Sequence, residues 1–513
     1  MIKFMKKHLN LLGHRVFLVP LLMIIQIVIL FIMVIEFYSY FIFFYIICSI
    51  FSFMMVIHIV NSKANPGYKI AWIIPIMGFP IFGLLLYLLF GGNQLTKRQK
   101  EKMKNIYFKQ KKYKDNHNIV INELRYENIS AYNQAKYIEN YSLTNICKHT
   151  KTTYLSDGKI YFQKLLEAIN NAKKYIFLEY FIIGEGKMWN TILDILKQKV
   201  EEGIEVRLIY DDFGCIMTLP NHYDKTLENF GIKTAVFNRF VPNLKSKFNN
   251  RDHRKIAVID GHIAFTGGIN LADEYINEKV RFGHWKDNGI MLEGEAVWNF
   301  TVMFLSMWDY IKEENEEYEK YRSNYEYETS SDGYVIPYSD SPWDSEAVGE
   351  SIYLNLINKA NRYIYITTPY LVIDNEMITA LTLAAKRGVD VRIITPGIPD
   401  KKIVNEVTKA YYEILLQNGV KIYEYTKGFI HEKTFVVDDE YATIGTVNLD
   451  YRSLYLHFEC GVWLYDCSSI YTVKKDLTLT LKECREIKLK NLGKLTWINS
   501  FKRQILRAFA PLM

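Results

Sequence analysis

Charge is scarce at the start of this chain. Between Val16 and Phe90 the only Asp, Glu, Lys or Arg side chains are Glu36, Lys63 and Lys69, set among three long apolar runs. That scarcity excludes a purely soluble protein, because runs of this length suit a hydrocarbon core. Paired cysteines are missing too. Cys48, Cys147, Cys215, Cys460, Cys467 and Cys484 lie far apart, with no CxxC, no zinc-ligand spacing and no disulfide framework. They read as reduced thiols and favour a catalytic region on the cytosolic side. No GxxxxGK[ST] phosphate loop occurs, so no nucleotide cofactor is implied. What is present rules out global disorder: 513 residues, 49% hydrophobic and 23% charged, suffice for about three units of ordinary size.

The runs at 16–35 and 37–60 are each long enough to cross a bilayer as a helix, forming a hairpin around Glu36. No small-residue cleavage site separates them, so both are expected in the mature protein. The third run, 70–90, contains Pro75, Gly78, Pro80 and Gly83 and is expected to re-enter or lie at the interface. Lys3, Lys6, Lys7 and Arg15 place the N-terminus inside, and Lys63 and Lys69 return the chain to that side. From Lys97 to Lys114, nine Lys or Arg face one Glu, against a net charge of +7 for the whole chain. A tract so placed reads as a contact with anionic headgroups, the plainer alternative being a solvated connector.

The remainder is a repeat. FQKLLEAINNAKKYIFLEYFII from Phe162 matches IYLNLINKANRYIYITTPYLVI from Ile352 in pattern: amphipathic helix, polar turn, apolar strand. GIEVRLIYDD from Gly203 and GVDVRIITPG from Gly388 follow, then GIKTAVFN from Gly231 and GVKIYEYT from Gly419. HRKIAVIDGHIAFTGGIN from His253 and HEKTFVVDDEYATIGTVN from His431 close the series. Four blocks in the same order predict two homologous α/β halves, each with a mostly parallel sheet. The expected division is a membrane region at 1–92, a basic connector at 93–150, halves at 151–312 and 336–513, and a solvated, Glu-rich linker at 313–335.

Each half carries HxKxxxxD: His253, Lys255 and Asp260, then His431, Lys433 and Asp438. Residues two apart on a strand face one side, so imidazole and ammonium are presented together, a pairing suited to an anion. Asn270 and Asn448 follow at the same distance in each copy. This duplicated motif resembles the phospholipase D superfamily. The N-terminal IAWIIPIMGFPIFGLLLYLLFGG, ITTPY at 366–370, GTVNLDYRS at 445–453 and the ending ILRAFAPLM resemble bacterial cardiolipin synthases, with coverage of essentially the whole chain.

The resemblance implies two phospholipase D-like halves about a pseudo-two-fold axis and a phosphodiester exchange split into two displacements. His253 is then the nucleophile that becomes a phosphohistidine, and His431 the acid, then base, for the incoming alcohol. Lys255, Lys433, Asn270 and Asn448 are expected around the phosphoryl oxygens, with a hydroxyl contact from Thr446, in work that a metal does elsewhere. No metal and no cofactor are implied. Asp287 and Glu459 occupy the positions of the carboxylates that orient the histidines. Asp260 and Asp438 complete the catalytic motifs but are expected to fix a turn rather than touch phosphate. Glu179 lines the cleft or packs, and adjacent Asp211 and Asp212 do not make a metal pair. The substrates implied are phosphatidylglycerol and anionic membrane lipids, one phosphatidylglycerol giving its phosphatidyl group to another with release of glycerol.

A membrane-bound phospholipase D-type hydrolase or another phosphatidyltransferase is the alternative. A nuclease is disfavoured and no nucleic-acid partner is expected, since the basic tract adjoins the membrane runs rather than the motifs. The insertion RFVPNLKSKFNNRD at 239–252 suits a lipid-facing lip or a plain loop. The C-terminal stretch with Trp497, Ile498, Phe501, Ile505 and Phe509 near one helical face suits an interface, against docking on the core.

Overall fold

A computed structural model describes residues 24, 27, 28, 31, 32, 35, 41–91, 97–114, 118–239, 250–325, 332–344, 346–492 and 497–512. Most of the first apolar run, the N-terminal basic residues and most of the 239–252 insertion lie outside the described residues. The chain divides into two compact units: residues 1–94 with 238–249 and 512, and the rest.

In the first unit the second apolar run is the helix Phe41–Val60. Residues 42–60 have a mean hydropathy of 2.4, so this helix is long and apolar enough to cross a membrane. The third run breaks into the helices Pro66–Gly78 and Pro80–Leu86 and a π turn, Tyr87–Gly91. Asn65 caps the first, its side chain accepting from Gly67 N at 2.9 Å. Pro80 pushes Phe79 out of helical geometry, to φ −139° and ψ 79°. The 13-residue helix covers about 20 Å, short of a ~30 Å hydrocarbon core. The pieces fold back on each other at Gly83, where any Cβ would overlap Pro75 O. Ser52 Oγ donates to Pro80 O at 2.8 Å and ties them to the long helix.

In the second unit the strands of the first half are β1 (Thr150–Leu155), β2 (Tyr175–Tyr180), β3 (Glu205–Asp211), β4 (Lys233–Phe237), β5 (Arg251–Asp252), β6 (Lys255–Ile259), β7 (Ile263–Gly267), β8 (His284–Lys286) and β9 (Gly289–Gly294). Those of the second are β10 (Tyr334–Asp340), β11 (Tyr363–Thr367), β12 (Leu371–Val372), β13 (Asp390–Pro396), β14 (Lys421–Tyr425), β15 (Gly428–Ile430), β16 (Thr434–Val437), β17 (Tyr441–Gly445), β18 (Leu449–Asp450), β19 (His457–Tyr465) and β20 (Cys484–Ile487). The sheets run β1-β9-β7-β6-β2-β3-β4 and β10-β19-β17-β16-β11-β13-β14-β20, the same order twice with one added edge strand. The repeat in the sequence is thus a repeat of topology.

The sheets are mixed rather than mostly parallel. Along the two main strand orders parallel pairing is confined to β2-β3-β4 and β11-β13-β14, where helices cross between strands; the short pairs β5-β19, β8-β15 and β12-β18 are parallel too. The motif strands β6, β7 and β9, and β16, β17 and β19, pair antiparallel. Turns as tight as Asp260-Gly261-His262 can join only antiparallel neighbours. Between the sheets runs the helix Val297–Lys312, buried at every position from Val297 to Asp309 and apolar nearly all round. It shares one core with Phe177, Ile209 and Val258 of the first sheet and Val436, Ile444 and Val462 of the second. The two halves are therefore welded rather than tethered.

Two charge runs meet here. The basic tract forms the helix Lys97–Tyr113. Arg98 and Lys102 pair with Glu313 at 2.7 and 2.5 Å, Lys109 with Asp309, and Lys112 with Glu317 at 3.3 Å. Glu316 in turn pairs with the buried Arg207 at 2.8 Å. These four cations are paired within the protein, and the described part of the Glu-rich stretch, a helix end followed by largely exposed chain, is pinned by the buried Tyr318 and Tyr321.

Candidate active site

Each motif histidine sits between two short strands, β5 leading into His253 and β15 into His431. Both lead-in strands pair with the other half: Arg251 and Asp252 lie beside His457 and Phe458, and Phe429 and Ile430 beside Trp285 and Lys286. His253 N donates to Phe458 O at 2.9 Å and His431 N to Lys286 O at 2.7 Å. The residue after each of those carbonyls is a buried carboxylate. Nδ1 of His253 lies 2.9 Å from Glu459 Oε2, and Nδ1 of His431 lies 2.7 Å from Asp287 Oδ2. Each imidazole is thus oriented by the opposite half. A carboxylate on Nδ1 holds the proton there and leaves the Nε2 lone pair to react.

Burial, then Lys255, the His457 ring and Lys433, push the His253 pKa well below its ordinary value. Burial and Lys433 lower His431 to about 4, against an opposing pull from Asp287. Both rings are neutral at pH 7. Lys255 Nζ donates to His253 O at 2.7 Å, and Lys433 Nζ donates to His431 O. Burial lowers these lysines to about 8 and about 7, and Lys255 is close enough to Lys433 to depress it further. Two crowded ammonium groups beside two neutral imidazoles form a site that an entering phosphate would relieve.

The other expected residues divide. Asn448 is buried with Oδ1 unpartnered, so its amide is available to a ligand. Asn270 is engaged, accepting from Ile182 N at 3.0 Å and donating to Tyr275 OH at 2.7 Å. Thr446 Oγ1 donates to Glu459 and holds that carboxylate against His253. The equivalent Gly268 leaves room for Asp287, since a Cβ there would overlap Oδ1.

Asp260 and Asp438 lie outside the cluster. Asp260, at φ 52°, accepts from the backbone of Lys173, Lys174 and Tyr175 at 2.7–2.9 Å. Asp438, at φ 54°, accepts from Asn361, Arg362 and Tyr363 at 2.6–2.9 Å. Both anchor the start of a strand, in keeping with the turn-fixing place expected of these motif residues. Glu179 is buried on Arg254 at 2.5 Å. Asp211 caps the short helix Asp212–Cys215 and pairs with Arg251 at 3.2 Å, which accounts for it without a metal.

Sequence reasoning missed the walls of the cleft. Tyr275, Trp285 and Phe429 surround the His431 ring at centroid distances of 5.4–5.8 Å. Beside His253 stand Phe181 at 5.0 Å and His457 at 5.7 Å. Aligning Glu459 with Asp287 across the repeat sets His457 opposite Trp285, a signal that was present but unused. His253, His457 and Glu459 bring possible ligand atoms within 4.8 Å of one another, a geometry open to a metal ion. The short His253–Glu459 bond already uses two of those atoms.

Residues 165–308 and 353–478 match the family described as cardiolipin synthase, PLD-like domain, and residues 50–92 match a phospholipase D-nuclease N-terminal family. A Streptococcus mutans protein of undescribed function is 44% identical over 89% of this chain and 99% of its own length. A cardiolipin synthase of Halalkalibacterium halodurans is 33% identical, covering 88% of this chain and 90% of that one. Cardiolipin synthase 2 of Bacillus anthracis is 34% identical, covering 88% of each. Phosphatidylserine synthase of Haemophilus influenzae shares the fold, with a TM-score of 0.56 at 16% identity over 74% of this chain and 97% of that chain. Fold, crossed imidazole–carboxylate pairs and these relatives agree: the chain belongs to the cardiolipin synthase family of phospholipase D-like proteins.

Proposed function

We infer that the protein is a cardiolipin synthase, moving the phosphatidyl group of one phosphatidylglycerol onto the terminal hydroxyl of another and releasing glycerol. The observation that carries this reading is the crossed pair of buried dyads, His253–Glu459 and His431–Asp287, each with a lysine alongside. In the first step Nε2 of His253 bonds to phosphorus and the phosphorus–oxygen bond to glycerol breaks, while His431, which takes up a proton at Nε2 once the anionic phosphate has entered, passes that proton to the departing oxygen. In the second, the hydroxyl of the acceptor loses its proton to His431 and attacks phosphorus, and the phosphorus–nitrogen bond breaks. The order of roles is supported by electrostatics: Asp287 raises the proton affinity of His431, while the cations around His253 keep that ring neutral. Lys255, Lys433 and Asn448 hold the phosphoryl oxygens. The reaction needs no metal in this reading.

The helix Phe41–Val60 associates the chain with the membrane. We propose that the first apolar run makes a second crossing, that the broken third run re-enters, and that the catalytic unit is cytoplasmic, as the distribution of Lys and Arg favours. Anionic lipids of that leaflet are both substrate and surroundings. Product analysis tests the assignment: phosphatidylglycerol labelled in its terminal glycerol, given to purified protein in micelles, yields free glycerol and cardiolipin in equal amounts. Phosphatidic acid as the main lipid product would make the enzyme a hydrolase instead.

A further inference from the structure

The two walls of the cleft occupy equivalent places in the repeat yet differ in chemistry. By strand register Phe429 pairs with Trp285 on the His431 side, and Arg251 pairs with His457 on the His253 side. Aligning Asn448 with Asn270 sets Arg452 opposite Glu274, and Glu274 is neutralised by Arg281 at 2.7 Å. One wall is therefore aromatic and electrically balanced, the other cationic.

The cationic wall is a built site. Arg452 lies on the short helix Tyr451–Tyr455, whose first turn is fixed by Asp450 accepting from Arg452 N and Ser453 N. Its Nε donates to His457 Nε2 at 3.4 Å. Among the described residues no carboxylate forms an ion pair with Arg452, which is unusual for a guanidinium so enclosed. Burial lowers the Arg452 pKa against an opposing pull from Asp450, and Arg251, anchored on Asp211, lies near enough to lower it further. His457 is pushed well below its ordinary range by burial and by Arg452, Arg251, Lys255 and Lys401 together. Its Nδ1 is buried with no hydrogen-bond partner, 3.8 Å from Glu459 Oε1. Two guanidinium groups, Arg452 and Arg251, thus flank a neutral imidazole here, with Asp450 and Asp211 as their charged neighbours.

We propose that Arg452, with Arg251 and His457, forms a second phosphate subsite that holds the phosphodiester of the acceptor phosphatidylglycerol while its terminal hydroxyl meets the phosphohistidine. This rests on the cardiolipin synthase reading and deepens it. Two phosphates meet in this reaction, and only the reacting one sits between His253 and His431. The other belongs to the acceptor, one O–C–C–C–O link away, and His457 and Arg452 lie one imidazole beyond His253. The flexible link can span the mouth of the cleft, so the subsite does not depend on which imidazole bonds phosphorus. A guanidinium grips a phosphodiester through paired N–H donors, and desolvation strengthens that grip.

The test uses two acceptors that share one donor. Full-length protein in micelles with phosphatidylglycerol makes cardiolipin; given labelled free glycerol, it also exchanges that glycerol into phosphatidylglycerol through the same phosphohistidine, with an acceptor that bears no phosphate. In Arg452→Gln, cardiolipin formation at subsaturating lipid should fall about tenfold or more relative to glycerol exchange, through a raised acceptor KM, with Arg452→Lys intermediate. Glycerol exchange also reports that each variant is folded. Equal loss of both reactions would mean that Arg452 serves a shared step, and loss of neither that it serves none; either result overturns the subsite. If the unaltered protein exchanges glycerol yet makes no cardiolipin, the functional reading itself fails, and the subsite with it.

Discussion

A lysine that binds phosphate must be charged when the substrate arrives, and Lys433 and Lys255 lose that charge at about 7 and about 8, where burial has placed them. The ammonium is present below those values and absent above them. kcat/KM for phosphatidylglycerol should therefore fall as pH rises through 7 to 8, and Lys433→Arg should carry that limb upward. Stability runs the other way. An unfolded lysine titrates near ~10.4, so between about 7 and 10 the unfolded chain binds more protons, and raising pH stabilises the empty enzyme as it weakens capture. Rates and calorimetry across that window check both signs; parallel curves would mean that the lysines are not buried as described. At this scale the sequence was most legible where a residue type is dictated by chemistry: His253, Lys255, His431 and Lys433 come together as their spacing predicts. Thr446 and Asn270 each meet a protein partner, since a hydroxyl or an amide serves a protein acceptor as readily as a phosphate and only packing decides which.

Among elements, the turns after β6 and β16 explain why the motif ends in aspartate. Asp260 satisfies three backbone N–H groups ahead of β2, which pairs with β6, so one carboxylate locks the register of the strand that leads from the histidine. Asp260→Ala leaves those donors without their acceptor and should cost about 2–3 kcal/mol of stability. The folded fraction should keep its kcat, whereas a drop in kcat at full stability would return Asp260 to the chemistry. Element order was readable from the repeat, since each block carries its own period and turn residues. Strand direction was not: alternating helices and strands suggest parallel pairing, and only hairpins as short as 260–262 reveal the antiparallel motif strands. The helix Lys97–Tyr113 escaped for a related reason, because its partners lie some two hundred positions away in the chain.

For the whole molecule, the duplication does more than supply two histidines. Each half contributes an imidazole to its own motif and a carboxylate to the other, and the lead-in strands β5 and β15 are completed by β19 and β8 across the interface. Neither half holds an oriented histidine alone, which ties catalytic competence to the shared core around the helix Val297–Lys312. The sequence pointed to Glu459 and Asp287 as partners but not to the crossing, because a linear repeat carries no information on which copy faces which. Divergence between the copies then specialises the walls, aromatic beside His431 and cationic beside His253. The central claim is a double displacement through a histidine, and trapping the covalent species tests it most directly. Enzyme mixed with phosphatidylglycerol labelled at phosphorus, quenched in alkali and digested, should carry acid-labile label on the peptide containing His253. That label should be absent from His253→Ala, and in His431→Ala it should form and turn over far more slowly, because His431 serves both displacements. Product formed at full rate with no labelled histidine, or turnover that stops in chelator and returns with a divalent cation, would contradict the account.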